Sequence, residues 1–194
     1  MEESKPLNFA RRAGREAWEI VKVLLIALAV VLPIRYFVAQ PFIVRGASME
    51  PNFENSEYLI IDELSYYTRE PHRGDAIVFR YPVNPRQFFI KRIIGLPGEE
   101  VALREGRVRV KNAFYPDGFM LDESYLDPPQ RPTKPDLAIT LGADEYFVLG
   151  DNRDASSDSR VWGSLKRKFI VGRALFRVWP FNRLGFLPNF STPY

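Results

Sequence analysis

Cysteine is absent from this chain, which removes thiol nucleophiles, disulfides and thiolate metal sites together. Histidine is nearly absent: His72 is the single copy, set in the turn-forming stretch Glu70-Pro71-His72-Arg73-Gly74-Asp75. A Ser-His-Asp triad or a multi-histidine metal centre therefore has almost no material, and His72 reads as an exposed turn residue. No metal ion and no other cofactor is expected. Long helix-periodic stretches are few. No lysine/arginine run is interleaved with stacking aromatics, so the net charge of +3 does not point to nucleic acid. No internal repeat is evident, and Lys166-Arg167-Lys168 is too short for a basic tail.

What is present is enough apolar material for one sizeable core: 194 residues, 46% hydrophobic and 14% aromatic. The 16 prolines and 12 glycines divide the chain into many short elements, the pattern of a mainly β body. One stretch stands apart. From Ile20 to Val38 the sequence reads IVKVLLIALAVVLPIRYFV, close to the length a helix needs to cross a hydrocarbon core. Its charges, Lys22 and Arg35, lie near the ends, where long side chains reach the interface, and Trp18 and Tyr36 sit where aromatic belts form. Phe37-Val38-Ala39 puts a bulky residue where a cleaved leader needs a small one.

Lys5, Arg11, Arg12 and Arg15 precede this run, whereas Glu50, Glu54, Glu57, Asp62 and Glu63 follow it. The distribution predicts a cytoplasmic N-terminus and delivery of the rest to the far side of a cell membrane. The expected organisation is a stub over 1–19, a single transmembrane helix over 20–39 and an extracytoplasmic β-rich domain over 40–194.

Within that domain strands are expected over Glu57–Asp62, Ala76–Tyr81, Phe88–Gly95, Glu100–Leu103, Gly106–Lys111, Glu145–Leu149 and Ile170–Trp179. The polar, proline-rich stretch from about 96 to 142 reads as an inserted hairpin and loop hanging off the body.

Three segments could carry chemistry. Ser48 lies in Gly46-Ala47-Ser48-Met49-Glu50-Pro51, too irregular for helix, with its N–H placed to face a reacting carbonyl. Alone, it reads as a turn serine. Lys91 lies on a strand whose alternation puts Phe89, Lys91 and Ile93 on one face. If that face is inward, desolvation lowers the lysine pKa and makes a base of it; otherwise Lys91 is an edge lysine that guards against aggregation. Arg92 stays protonated and cannot serve as the base. The third segment runs from Gly150 to Arg160 as Gly-Asp-Asn-Arg-Asp-Ala-Ser-Ser-Asp-Ser-Arg. Read as a calcium loop, it has Arg153, Ala155, Ser156 and Trp162 where ligands and glycine are required, and it fails.

These segments, together with Gly74-Asp75-Ala76-Ile77-Val78-Phe79 and the run from Lys91 to Glu99, follow an N-terminal apolar span in an order that resembles the type I signal peptidases. These are membrane serine peptidases with a Ser-Lys dyad. The resemblance implies a β-rich fold and a preprotein signal peptide as substrate, with membrane lipid as the other partner. It implies that Ser48 is the nucleophile, Lys91 the general base, and Ser156 the group that orients the Lys91 amine. Asp151 and Asp158 would pair with Arg92 and Arg160, while Val44, Met49, Phe53, Phe89 and Ile90 would line the pockets for small substrate side chains.

Two positions depart from the family's frequent pattern. Gly46 stands where a serine hydroxyl often helps to bind the oxyanion, and Phe89 where an aromatic hydroxyl is common. With Gly46 the oxyanion would rest on backbone donors, and a serine there should be tolerated. Two rival readings are a self-cleaving Ser-Lys regulator of the repressor kind and a silent membrane-anchored binding domain. The span without a helix-turn-helix argues against the first, and Ser48, Lys91 and Ser156 together against the second.

Overall fold

The computed structural model describes residues 6–33, 40–126, 132–187 and 190. The chain divides into two compact units, Met1–Ala39 and Gln40–Tyr194. The first contains one helix, α1 (Pro6–Pro33), which starts well before the expected span and takes in the polar turns around Arg15, Glu16 and Glu19. Lys22 pairs with Glu19 one turn earlier at 2.7 Å. Among the described residues no helix is long and apolar enough to cross a membrane. The end of the expected span, residues 34–39, lies outside the described residues.

The second unit is mainly β, and all its strand pairs are antiparallel. Its larger sheet takes strands from both ends of the chain. These are β1 (Gln40–Ile43), β2 (Tyr58–Asp62), β3 (Ala76–Tyr81), β4 (Asn84–Gly95), β9 (Glu145–Leu149), β10 (Leu165–Lys166), β11 (Ile170–Trp179) and β12 (Gly185–Phe186). The order is β1-β2-β11-β3-β4-β9-β10, with β12 on β11. Ala76, Val78 and Ala174 pack on one face with Leu59 and Ile61, whereas Ile77 and Phe79 pack on the other with Tyr146 and Val148. Coverage on both faces explains why β3 opens as a continuous apolar run rather than an alternating one.

The stretch expected as a hanging hairpin and loop instead forms a four-stranded sheet. It comprises β5 (Glu100–Arg104), β6 (Arg107–Lys111), β7 (Phe119–Met120) and β8 (Leu137–Thr140), in the order β7-β6-β5-β8. Val101, Leu103, Val108 and Val110 bury their side chains against Ile94 of β4 and Phe147 and Leu149 of β9. β5 and β6 form where strands were expected, whereas β7 and β8, two and four residues long, are set among polar turns that conceal them. A buried ion pair, Arg73 with Glu99 at 2.6 Å, lies beside this junction, and Asn112 of the smaller sheet's segment also donates to Glu99.

Two strand edges bound the future site. β1 is the terminal strand of the larger sheet. β4 pairs with β3 over Phe88–Arg92 but meets β9 only from Arg92 onward, so its second edge is bare before that point.

Candidate active site

The chain leaves β1 at Ile43 and turns through Gly46, where φ is +89°, into the segment bearing Ser48. Met49 buries its side chain in the core and accepts the Asp151 N–H on its sulfur at 3.4 Å. Ser48 is thereby left half-buried at the surface, and among the described residues its N–H has no acceptor. Space for a Cβ at Gly46 is open, so the obstacle to a side chain there is the left-handed backbone rather than crowding. The expected tolerance of serine at this position is therefore revised: any L-residue meets that strain, at a cost of order 1–2 kcal/mol.

Lys91 reaches Ser48 from β4. Its Nζ donates to Ser48 Oγ at 2.7 Å and to the Ile90 carbonyl at 2.8 Å. Only 3% of the residue is exposed. Burial pushes the Lys91 pKa down to about 8, against the pull of the Asp158 and Asp151 carboxylates. The Phe89 ring lies 5.4 Å from the amine, and the two carboxylates that oppose deprotonation come from a loop about sixty residues away in sequence.

That loop follows β9, and two buried fork-to-carboxylate pairs hold it. Arg92 Nε and Nη2 donate to the two Asp151 oxygens at 2.8 and 2.6 Å. Arg160 Nε and Nη2 grip Asp158 at 2.8 Å each. Burial pushes the Asp158 carboxyl up, but hydrogen bonds from Arg160 and the Gly150 N–H bring it below its ordinary value. Asp158 also caps the short helix α2 (Ser159–Trp162) by accepting the Arg160 N–H.

Ser156 does not make the contact expected of it. Its Oγ is buried and completes no full hydrogen bond, and the second acceptor at the Lys91 amine is the Ile90 carbonyl. Motif position brings Ser156 near the site, but the amine spends its contacts on Ser48 and its own strand.

Asn152, whose type in the sequence signals only a turn, holds the serine segment directly. Its N–H donates to the Ser48 carbonyl and its side-chain amide to the Ala47 carbonyl, both at 3.1 Å. Gly150 sits under the same carbonyl: a Cβ there would lie 2.4 Å from Ser48 O and 2.2 Å from Ser156 Oγ. Gly150→Ala is accordingly expected to displace the Ser48 segment and reduce kcat by at least tenfold, about 1.4 kcal/mol, with a smaller change in KM. Parental kcat in a folded Gly150→Ala protein would show that this close approach is dispensable.

A groove of about 810 Å³ runs from Ser48 and Lys91 along the bare edge of β4 and the length of β1. Val44, Phe89 and Ile90 line it, whereas Met49 and Phe53 do not. Both of the latter belong to the core beside Leu59 and Ile61, at 1% and 3% exposure. Phe42 of β1 and Phe88 of β4 meet edge to face at 5.5 Å. His72 is exposed and contacts Arg69. Among the described residues no group of acidic, histidine or cysteine side chains could hold a metal ion.

The family profile described as signal peptidase, peptidase S26, matches residues 17–179, which include every part of this arrangement. The chain belongs to that family. The peptidase is 40% identical over 176 residues to a probable signal peptidase I-2 of Synechocystis sp., covering 88% of this chain and 77% of the relative. It is 39% identical over 191 residues to signal peptidase I of Leptolyngbya laminosa, covering 94% and 89%. A solved signal peptidase I from Enterococcus faecalis shares 33% identity and a TM-score of 0.46, covering 54% of this chain and 97% of that one. The peptidase is thus a hydrolase of peptide bonds.

Proposed function

We propose that the peptidase is membrane-anchored and cleaves N-terminal signal peptides from exported preproteins by a Ser-Lys dyad. The observation that carries this reading is the 2.7 Å contact from the Lys91 amine to Ser48 Oγ, with the amine held to a pKa of about 8 by burial. At that value a useful fraction of Lys91 is neutral near pH 7 to 8, which an ordinary lysine is not.

In the acylation step, neutral Lys91 takes the Ser48 hydroxyl proton as Oγ bonds to the scissile carbonyl carbon. The Ser48 N–H faces the oxygen on which charge develops. The C–N bond then breaks, and Lys91 returns the proton to the departing amine. In the second half, Lys91 removes a proton from a water that attacks the acyl ester, and restores it to Oγ as the signal peptide leaves. Arg92, Asp151, Asp158 and Arg160 hold the loop and strand in register and take no proton.

The bare edges of β1 and β4 support binding of the cleavage region as an added strand, with Val44, Phe89 and Ile90 shaping shallow pockets for small side chains. Anchoring rests on the apolar run from Ile20 to Val38, and the basic residues before it orient the chain with its N-terminus cytoplasmic. The test is Ser48→Ala in sealed vesicles: preprotein should accumulate uncut, and protease added to inside-out vesicles should spare everything beyond Gln40. Continued processing by the variant would end the nucleophile assignment, and digestion of the body would reverse the topology.

A further inference from the structure

We propose that Glu123, Tyr125 and Thr133 are positioning residues for the reaction: carried on the chain that leaves and re-enters the smaller sheet, they hold the Ser48 segment in place through Arg153. This rests on the Ser-Lys reading.

Arg153 is only 3% exposed, so its guanidinium must find all its partners within the protein. It finds them in two directions. Toward the smaller sheet it pairs with Glu123 at 2.6 Å and donates to the Tyr125 hydroxyl at 3.1 Å and to Thr133 Oγ1. Toward the catalytic loop its Nε donates to the Gly150 carbonyl at 3.0 Å. Gly150 is the residue on which Ser48 O rests, and two positions later Asn152 bonds both the Ser48 and the Ala47 carbonyls.

A second path runs in parallel. The Tyr125 carbonyl accepts the Asn52 amide at 2.8 Å, and the same amide donates to Asp151 at 3.0 Å. The Tyr125 ring also covers the Arg92 guanidinium at 4.6 Å. A third tie closes the loop from outside: Arg160 donates to the Lys134 carbonyl at 2.7 Å and to the Arg153 carbonyl at 2.8 Å.

Most of these groups are buried, so shifting Glu123 or Tyr125 takes a partner from the Arg153 guanidinium unless the Gly150 turn shifts as well. Glu123, Tyr125, Thr133 and Arg153 all lie off the groove lining. They can therefore alter the distance from Ser48 to Lys91 without touching substrate, and a displacement of about 1 Å at reacting atoms is worth about a hundredfold in rate.

The test uses the full chain in detergent with a purified preprotein. Tyr125→Phe keeps the ring over Arg92 and removes one oxygen; Glu123→Gln keeps the shape and removes the charge. Tyr125→Phe should lower kcat about fivefold and Glu123→Gln ten- to a hundredfold, with KM within twofold of the parent and thermal midpoints well above the assay temperature. Combining Tyr125→Phe with Asn152→Ala should cost little beyond Asn152→Ala alone, because both act on one carbonyl-holding turn. Parental kcat in the folded single variants, or fully additive losses in the double variant, would overturn the proposal. So would losses that simply track the unfolded fraction. Ser48→Ala run alongside separates the two readings: if it still cleaves, the dyad falls, whereas an inactive Ser48→Ala with no Tyr125–Asn152 coupling removes the positioning role alone.

Discussion

Lys91→Met should abolish preprotein cleavage and leave the body no less stable than the parent. In the proposed mechanism every proton transfer passes through this amine, which lies 2.7 Å from Ser48 Oγ, and a thioether cannot take a proton. The stability half follows from the sign of the shift. The folded-state pKa of about 8 lies below the ordinary 10.5, so between those values the unfolded chain binds more protons and stability rises with pH. Below about pH 8 the full cost of burying a lysine is present, roughly 3 kcal/mol for that gap, and above 10.5 it vanishes. Met removes the titrating group and with it this slope.

The low-pH limb of kcat/KM in the parent should fall near 8, with activity rising as Lys91 loses its proton. Lys91→Arg keeps the charge, cannot deprotonate, and should also be inactive. Turnover in either variant, or a limb at the ordinary carboxylate range, would place the base elsewhere.

The largest stability effect is expected at Asp151→Ala. Its carboxylate and the Arg92 guanidinium are 0% and 1% exposed and joined by two hydrogen bonds at 2.8 and 2.6 Å. Removing one partner strands a permanent cation in the interior, since guanidinium does not neutralise, and costs about 3–5 kcal/mol. A urea midpoint lowered by that energy divided by an unchanged slope is the expected result. Removing both charges in Asp151→Leu with Arg92→Met should recover much of the loss. Asp151→Asn separates structure from electrostatics: the carboxylate raises the Lys91 pKa, so its loss should move the low-pH limb of kcat/KM downward in the protein that remains folded. A single variant that loses under about 1 kcal/mol would mean that the pair is not the lock its burial implies.

The proposed nucleophile and base could be picked out of the sequence only through the resemblance of their motifs to the type I signal peptidases, since Ser48 alone reads as a turn serine and Lys91 alone as a strand lysine. The absence of cysteine and the single histidine excluded other catalytic sets but did not by themselves choose among the chain's serines and lysines. Strands such as Ala76–Tyr81, Glu145–Leu149 and Ile170–Trp179 were legible, since each is rich in β-branched and aromatic residues and lies between turn formers. Of the smaller sheet, the strands at Glu100–Arg104 and Arg107–Lys111 were legible, whereas the short pairings at Phe119–Met120 and Leu137–Thr140 and the packing of the sheet on Ile94, Phe147 and Leu149 were not, because they depend on other segments.

The same limit explains the pocket and the loop. Nearness to Ser48 in sequence does not tell what opposes an apolar side chain, so Met49 and Phe53, in the turns after Ser48, read like pocket residues although they pack in the core with Leu59 and Ile61. Ser156 had the right neighbours in sequence but makes no hydrogen bond to the Lys91 amine. Glu123, Tyr125, Thr133 and Arg153 carry no local signal at all: a buried guanidinium requires partners, but which distant residues supply them depends on how the chain closes on itself. By itself, then, the sequence determined which groups were available to react and where most strands form, because those follow from residue type and local period. Only the tertiary structure decided which groups meet, how far Lys91 is desolvated and what holds Ser48 against it, because contact distance and burial arise between segments that are remote along the chain.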